Sequence, residues 1–586
     1  MFLDGMDGMA LGCEVERVAR FDLAAFLRRS WYPLAASALI ACGVAARLAL
    51  VLAGWPHTNS EEGTMGLEAM HILLRGERPV YFYGQNYMGV GEAYLGALAF
   101  LVFGVSVASL RLGMLVFYAV FMASVFWLAS LLYSRRVALV SLAALALGTP
   151  FVTRIELLAD GGKAETLAFG ALMFALASWL ALSRPAGRAS RGRRFLRYAA
   201  FVAWGVIAGL GLYTYAIVAP FVLTSGLLLW VTRWREPRGL ALALPLVGLL
   251  IGLLPAIIYA ATVSLADNPV SVFLSLHQSL NDQGASGWSL LARQVDGTLL
   301  YTLPTVTGLV NLYPLQALPL YGPPGVSTII AVMVGGGWSL AYLALLGVAT
   351  FRPWRALRPG WASRGLAVTS PSTARDVARL LLPLTAWLTI AAYTFSATAG
   401  NNPYSGRYMI GLLVITPAIL WPLLERAPRA GSAKATAHGA RVGGDMPRAV
   451  WRPVGVALLG VSLALGVIGV AQSIPDAVAA NGRDARFAQA LLSHGITRFY
   501  SDYWTCDTLN FETRERLTCA VIDSYGRPGL TRYHPYYVAV RADPGAPYVL
   551  APHSLIERTF LIHAAQMNLR YSVENLDGHD VYTPVP

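Results

Sequence analysis

The feature that most constrains this chain is a series of apolar runs, each about 20 residues long, through most of its 586 residues. A backbone in hydrocarbon must satisfy its own N–H and C=O groups, so runs of this length become spanning helices. Only 13% of the residues are charged, against about 25% in soluble domains. We therefore predict a mainly α fold, a polytopic membrane helix bundle of about eleven spans. The predicted spans are 33–54, 111–132, 137–150, 164–183, 199–214, 216–232, 239–261, 324–350, 380–397, 408–424 and 454–471.

The net charge of +13 comes largely from arginines in short segments between the apolar runs. This distribution follows the positive-inside rule and argues against a nucleic-acid partner. The first run is too long for a signal-peptide core, so we interpret it as a retained helix. We expect an integral protein of a bacterial inner membrane with a cytoplasmic N-terminus. The basic cytoplasmic segments are Arg135/Arg136, Arg184 to Arg197, Arg233 to Arg238, Arg352 to Arg379 and Arg426 to Arg452.

The same orientation assigns the remaining segments to the outer face. These segments are 55–110, 150–163, 262–323, 398–407 and the tail after 472. Treating the apolar stretch 93–104 as a span would invert everything downstream, so we predict a helix lying in the outer interface there. The two longest loops and the tail therefore share one side of the membrane.

The composition changes near residue 473, which predicts two domains. We expect a membrane domain over 1–472, with 55–110 as its first outer loop, and a small extracytoplasmic α/β domain over 473–586. Within the tail, 484–493 reads as helix, and Thr497–Tyr503 and Tyr536–Val540 read as strands.

Two of the four cysteines, Cys506 and Cys519, fall together in the tail. The predicted topology puts them in an oxidising compartment, which permits a disulfide but does not fix its geometry. Their spacing is not that of a zinc site. We predict no metal site from the sequence and leave the use of a divalent cation open.

The first outer loop contains an amphipathic helix that starts near Ser60, the predicted N-cap, and ends at Gly76. Glu61 and Glu62 occupy its first turn, where the helix dipole favours ionised carboxylates, and Arg75 suits the opposite end. One reading is that the two glutamates only stabilise the helix. The other is that one of them is a general base at the mouth of a membrane cavity.

The stretch from Glu61 and Glu62 through Arg75-Gly-Glu-Arg-Pro-Val-Tyr-Phe-Tyr-Gly-Gln-Asn-Tyr-Met-Gly resembles the first outer loop of the GT-C glycosyltransferases. It is most similar to their protein mannosyltransferase-like and aminoarabinose transferase-like branch. Arg111-Leu112 matches the Arg-Leu that opens the next span in that family. The family's acidic pair begins with an aspartate that acts as base, so the resemblance implies this role for Glu61, one methylene longer, with Glu62 as second candidate.

The resemblance also implies a substrate-binding set. Arg407-Tyr408 is similar to the Arg-Tyr that opens a late span in the family, where the arginine holds the lipid phosphate. Arginine suits this task because its planar fork matches phosphate oxygens, although an arginine can also snorkel to the interface. The aromatic segment adds Tyr83, Gln85 and Tyr87 as candidates.

Other polar residues at the outer face have two readings each. Lys163 and Glu165, close to Arg154, Glu156 and Asp160, either line a substrate path or are solvated loop charges. Lys163 suits a phosphate. His277, beside Gln278, either contacts the sugar or is structural.

The sequence holds no phosphate-cradling loop and no nucleotide-binding fingerprint. This fits the donor that the resemblance implies, a sugar carried on a polyprenyl phosphate, with no further cofactor. The hypothesis is a glycosyltransferase that moves this sugar, with inversion, to a glycan, lipid or protein acceptor on the outer face. The alternatives are a flippase for lipid-linked precursors, which would do no chemistry, and a scaffold whose tail binds partners.

Overall fold

The computed structural model describes residues 23–183, 190–233, 240–281, 287–308, 326–364, 370–396, 398–399, 403–424, 448–523, 525 and 527–585. Seventeen of the described helices precede the tail. They are α1 Leu23–Leu52, α2 Ser60–Arg75, α3 Gly91–Phe103, α4 Val107–Leu132, α5 Arg135–Leu147, α6 Pro150–Leu157, α7 Lys163–Leu182, α8 Arg191–Thr214, α9 Ala219–Arg233, α10 Leu240–Thr262, α11 Pro269–Asn281, α12 Gly287–Asp296, α13 Leu303–Thr307, α14 Val326–Arg364, α15 Pro371–Thr394, α16 Thr416–Leu424 and α17 Arg448–Ser493. Two 3₁₀ segments, Ala216–Val218 and Pro403–Ile415, and a π-helical turn, Gly297–Thr302, complete the set.

Within these ranges, ten helical stretches are long and apolar enough to cross a membrane, and there are eleven if the bent pair α5–α6 counts as one span. The chain is therefore an integral membrane protein, and the predicted helix bundle is confirmed. Helix α3 has only 13 residues, too few to cross the roughly 30 Å hydrocarbon core. Its residues Leu98 to Phe103 include several that are largely exposed, which agrees with a position in the interface.

The bent pair shows how a broken helix is accommodated in the membrane. Helices α5 and α6 meet at 83°; the sequence analysis predicted a span over 137–150 and a loop over 150–163, where the structure has the helix α6. Arg47 of α1 donates to the carbonyl oxygens of Leu145 (3.1 Å) and Ala146 at the end of α5, and its guanidinium pairs with Glu156 of α6 at 2.7 Å. The carbonyls freed by the break therefore have a donor. Arg47 is fully buried in this contact rather than facing a cavity.

The basic helix ends contact one another. Arg197 and Arg233, at opposite ends of α8 and α9, both reach the last turn of α7 and Ser183, with bonds to the Leu180 carbonyl of 3.0 Å each. On another part of the same rim, Arg379 of α15 donates to the Leu132 carbonyl at the end of α4 at 2.7 Å. These helix ends therefore share one face of the bundle, as the positive-inside pattern predicts.

The first outer loop folds back over the opposite end of the bundle. The N-cap of α2 is Asn59, whose side chain accepts from the Glu62 amide at 2.9 Å; the prediction of Ser60 was wrong by one position. Ser60 instead donates to the Tyr503 carbonyl at 2.5 Å. At the other end Gly76 is the predicted left-handed cap, with φ of 68°.

Helix α17 connects the membrane part to the tail. Its 46 residues make a helix about 69 Å long, more than twice the roughly 30 Å hydrocarbon core. It passes position 472 without a break, and Phe487 and Leu491 near its end pack in the core of the tail. The proposed domain boundary at this position remains a prediction.

The tail is a small α/β unit, as predicted. Its helices are α18 Tyr503–Glu512, α19 His534–Arg541 and α20 Leu555–Gln566, and its strands are β1 Arg498–Ser501, β2 Thr518–Val521, β3 Tyr548–Leu550, β4 Tyr571–Leu576 and β5 His579–Pro584. The five strands form one sheet in the order β2-β1-β3-β5-β4, with β1 parallel to β2 and β3 and the last two pairings antiparallel.

One predicted strand of the tail is a helix. The segment Tyr536–Val540 lies in α19, which has a proline at its first turn. Tyr536 and Val540 are its buried residues, and their spacing of four residues puts them on one helical face. The run of β-favouring residues was misleading because proline presets a helix start and packing overrides propensity.

Candidate active site

The adjacent residues Glu61 and Glu62 have different surroundings. Glu62 is fully buried, and Arg111 of α4 binds it with two charge-assisted hydrogen bonds, from Nε to Oε1 at 2.8 Å and from Nη2 to Oε2 at 2.6 Å. The Thr58 hydroxyl donates to the same carboxylate at 2.6 Å. With both oxygens occupied, Glu62 has none free for an acceptor, and we interpret it as the anchor of α2 on α4.

Glu61 lies at the centre of the candidate site. Its Oε2 is 3.4 Å from Nη1 of Arg407, although the two residues are 346 positions apart in the chain. Its Oε1 is 3.9 Å from Nη2 of Arg532, a residue of the tail. The Glu61 side chain is 14% exposed, so it is partly accessible, unlike Glu62.

Arg407 lies on the 3₁₀ segment that leads into α16. In a 3₁₀ helix residues three apart are aligned, and the guanidinium of Arg407 lies 4.5 Å from the ring centre of Tyr404. It also donates to the Tyr408 hydroxyl at 3.1 Å. Its Nε is buried and has no hydrogen-bond partner in the part of the chain that the structure describes. Arg407 therefore retains a donor for a ligand.

The connection between α6 and α7 brings Asp160 and Lys163 next to this group. The Tyr404 hydroxyl donates to Asp160 at 2.6 Å, and Nζ of Lys163 lies 3.0 Å from the same carboxylate. Burial by itself would raise the pKa of Asp160, but the charges of Lys163 and Arg407 outweigh it and lower that pKa. Lys163 is buried and engaged with Asp160, so it lies behind the first contact layer around Glu61.

Glu165 is buried beside the carboxyl group of Glu92 of α3. Glu92 accepts hydrogen bonds from the backbone amides of Gly161 and Gly162, each at 2.9 Å. Both glycines have positive φ, 95° and 74°, which other residues rarely adopt. Burial raises the pKa of Glu92. The pair of carboxyl groups therefore fixes the loop that carries Asp160 and does not face Glu61 directly.

The aromatic segment of the first loop divides between two sites. The Tyr83 hydroxyl donates to Glu77 at 2.6 Å and lies 3.0 Å from Nδ1 of His71, so its side chain points away from Glu61. Gln85, with its amide oxygen turned toward the donors, accepts from both terminal nitrogens of Arg532 at 3.2 Å.

Tyr87 lines a cavity of about 390 Å³ together with Tyr215 and Tyr408. The rest of its wall is largely apolar, and Leu223 of α9 and Leu388 of α15 in this wall are 64% and 43% exposed on the lipid-facing surface. The cavity therefore has exposed leucines of two apolar helices in its wall together with Tyr408, the hydrogen-bond partner of Arg407. Phe273 of α11 also contributes to it, whereas the side chain of His277, on the same helix, lies outside the described residues.

Three residues of this arrangement were not singled out from the sequence. Glu92 and the tail residue Arg532 were missed, and Asp160 was noted only as a loop charge. The Gly-Gly after Asp160 was a usable signal of a specially shaped loop, but Arg532 has no local feature that separates it from other tail arginines. Among the described residues no group of three or more His, Cys, Asp or Glu side chains could hold a metal ion.

A disulfide links two elements of the tail next to this site. Cys506 of α18 and Cys519 of β2 form a disulfide, with a Cα–Cα distance of 5.0 Å. Helix α18 packs closely against α2. A Cβ added at Gly66 would lie only 2.5 Å from the ring of Phe511 of α18. Glycine is required there by this close approach, which fixes the tail on the helix that carries Glu61.

No family model matches the sequence, and no curated protein matches it. Solved structures do match over nearly the whole chain. The oligosaccharyltransferase of Archaeoglobus fulgidus, in a crystal structure with a tethered acceptor peptide, matches with a TM-score of 0.50 at 12% identity, over 96% of this chain and 75% of that one. ArnT from Cupriavidus metallidurans bound to undecaprenyl phosphate matches with a TM-score of 0.49 at 15% identity, over 94% of this chain and 98% of that one. The chain has the GT-C fold, as the resemblance in its first outer loop predicts.

Proposed function

We propose that this protein is a membrane glycosyltransferase that moves a sugar from a polyprenyl-phosphate carrier to an acceptor hydroxyl on the outer face. The observation that carries the proposal is the contact between Glu61 and Arg407, which adjoins Tyr408 in the wall of a largely apolar cavity. The fold agrees, because the structural neighbour from Archaeoglobus fulgidus is an oligosaccharyltransferase.

The cavity suits the carrier lipid. Its wall is largely apolar, with exposed leucines from α9 and α15, and its Tyr408 accepts a hydrogen bond from Arg407. An isoprenoid chain entering between these helices would bring its phosphate to the guanidinium. Arg407 lies 4.5 Å from the ring centre of Tyr404, and its unpartnered Nε leaves a donor in the planar group that phosphate oxygens match.

In the proposed reaction Glu61 accepts the proton of the acceptor hydroxyl as that oxygen attacks the anomeric carbon. The bond from that carbon to the phosphate oxygen breaks on the opposite face, so the configuration inverts. Arg407 stabilises the negative charge that grows on the departing lipid phosphate. Asp160 and Lys163 hold Tyr404 and thereby the position of Arg407.

The test uses purified protein in proteoliposomes with a panel of labelled polyprenyl-phosphate sugars and a membrane extract that supplies acceptors. Release of polyprenyl phosphate reports turnover. We expect Glu61→Gln to lower turnover by about 10²–10⁴-fold, the usual contribution of a general base. The matched control is Glu574→Gln, since Glu574 is a mostly exposed residue of the tail, and it should keep wild-type turnover.

Full activity of Glu61→Gln would remove Glu61 from the role of base. Movement of intact donor across the vesicle membrane, with no release of lipid phosphate, would favour the flippase. The positions of the polar side chains favour the transferase, because Asp160 directly precedes α7 and Arg407 lies near the start of the span Tyr404–Leu424, and neither lies in the middle of a span.

A further inference from the structure

Arg532 of the tail lies in the candidate active site. Its side chain is 2% exposed, and the contacts of its guanidinium connect the tail to the first outer loop. Within the tail its Nε donates to the Tyr503 hydroxyl at 2.6 Å. Toward the loop, Nη1 donates to the Tyr83 carbonyl at 3.3 Å, and the guanidinium lies 4.7 Å from the ring centre of Phe82.

Two further contacts complete the set. Both terminal nitrogens of Arg532 donate to the Gln85 amide oxygen at 3.2 Å, and Nη2 lies 3.9 Å from Oε1 of Glu61. The carboxylate of Glu61 therefore has one oxygen toward Arg532 and the other, at 3.4 Å, toward Arg407. One guanidinium comes from the tail and the other from a late membrane segment.

We infer that Arg532 is a positioning residue through which the tail keeps Glu61 from pairing with Arg407 through both carboxylate oxygens and keeps the loop Phe82–Gln85 in place. This inference rests on the proposed function, because it assigns Arg407 to the lipid phosphate. The tail is thereby part of the active site and not only a cover over it.

The physical argument is a competition for Arg407. A carboxylate that pairs fully with Arg407 would neutralise it and occupy the donors that a phosphate needs. Attraction to a second cation on the opposite side reduces that pairing. Without Arg532, Glu61 would move onto Arg407, and a lipid phosphate would then have to displace it.

Arginine is needed for this role because one planar group serves several acceptors at once. It reaches the Tyr503 hydroxyl, the Tyr83 carbonyl and the Gln85 amide from different nitrogens. A lysine would keep the charge but not the fork. Arg532→Lys should therefore restore only part of what Arg532→Ala loses.

The test is a double-mutant cycle on binding of undecaprenyl phosphate to the full-length protein in phosphatidylcholine nanodiscs. We expect Arg532→Ala to weaken binding about three- to tenfold when Glu61 is present, as for directly coupled residues. In the Glu61→Gln background the same change should have almost no effect, because the neutral amide does not compete for Arg407. Arg541→Ala, at an exposed arginine of the tail, should leave binding unchanged in both backgrounds.

Hydrogen exchange supplies a second measurement that needs no ligand. Backbone amides between residues 81 and 89 should exchange faster in Arg532→Ala than in wild type or Arg541→Ala, while the sheet of the tail keeps its protection. Equal loss of binding in both Glu61 backgrounds would overturn the inference, as would unchanged binding. Unchanged exchange in the loop would overturn the inference, whether or not the wild type binds lipid phosphate. Failure of the wild type to bind lipid phosphate would instead count against the proposed donor.

Discussion

The two neighbouring glutamates of α2 lie in two regions that are built differently. In the region around Glu62, which we call the closed region, Arg111 binds both carboxylate oxygens and water is excluded. In the region around Glu61, the open region, Arg407 and Arg532 approach from two sides at 3.4 and 3.9 Å, and neither binds both carboxylate oxygens. The comparison teaches that pairing geometry, more than charge, separates an anchor from a group free to react.

The Arg47–Glu156 pair is buried like the Glu62–Arg111 pair, but Arg47 binds only Oε2 of Glu156, and Oε1 has no partner among the described residues. Both side chains are fully buried, and Arg47 also binds the carbonyls of the broken helix α5. In the open group near Glu61 the unpartnered atom is a donor, since Nε of Arg407 has no partner among the described residues.

The largest expected effect is on the closed pair. Glu62→Ala leaves the buried guanidinium of Arg111 without its counter-charge, which should destabilise the protein by about 3–5 kcal/mol. Glu61→Ala, at the open position, should cost under about 1 kcal/mol. Melting of the detergent-solubilised variants measures both. Equal losses for the two variants would contradict the distinction between the regions.

A smaller effect concerns Glu512 of α18, which adjoins the closed pair. Burial raises the pKa of Glu512 to about 7, and the nearby carboxylates of Asp484 and Glu62 add to the rise. Because the unfolded chain loses this proton at lower pH than the folded protein, the unfolded state binds fewer protons between the two pKa values. Stability should therefore fall as pH rises from about 5 to 7, by about 2 kcal/mol at most.

The matched variant for that measurement is Glu512→Gln, which cannot ionise. Its melting temperature should depend less on pH than that of wild type, and the variant should be the more stable of the two at pH 8. If the melting temperatures of wild type and Glu512→Gln changed with pH in parallel, ionisation of Glu512 would not affect stability. The closed region would then tolerate a second carboxylate.

The smallest effect tests the open region. Arg407→Lys keeps the positive charge but loses the planar fork and the stacking on Tyr404. Binding of undecaprenyl phosphate should weaken about tenfold, or about 1.4 kcal/mol. Arg379→Lys, at the opposite face of the bundle, is the control. Unchanged affinity in Arg407→Lys would mean that a point charge suffices and that geometry is not what Arg407 supplies.

Much of the fold could be predicted from local sequence. Apolar runs of spanning length predict the helices, and the alternating basic segments predict which helix ends share a face. The short helix α2, its cap at Gly76 and the interfacial helix α3 also follow from patterns within about 20 residues. The errors were local as well, at the Ser60 cap and at the helix taken for a strand over Tyr536–Val540.

The candidate site was predictable only in part, because the resemblance supplied Arg407 and ranked Glu61 above Glu62 but gave no physical reason for that ranking. That ranking depends on Arg111, which lies 49 positions from Glu62, and on which direction each side chain takes from the first turn of α2. The expectation that Lys163 contacts a phosphate stays a prediction, and its partner in the structure is Asp160.

The sequence by itself determined that the chain spans a membrane many times and carries an acidic pair after its first span. Only the tertiary structure decided which acid is closed off, which is open, and that Arg532 of the tail reaches the open one. The physical reason is the separation along the chain over which each effect acts. Hydrophobic periodicity and capping act over a few turns of chain, whereas the reactivity of a charge depends on whichever groups folding brings within a few ångströms.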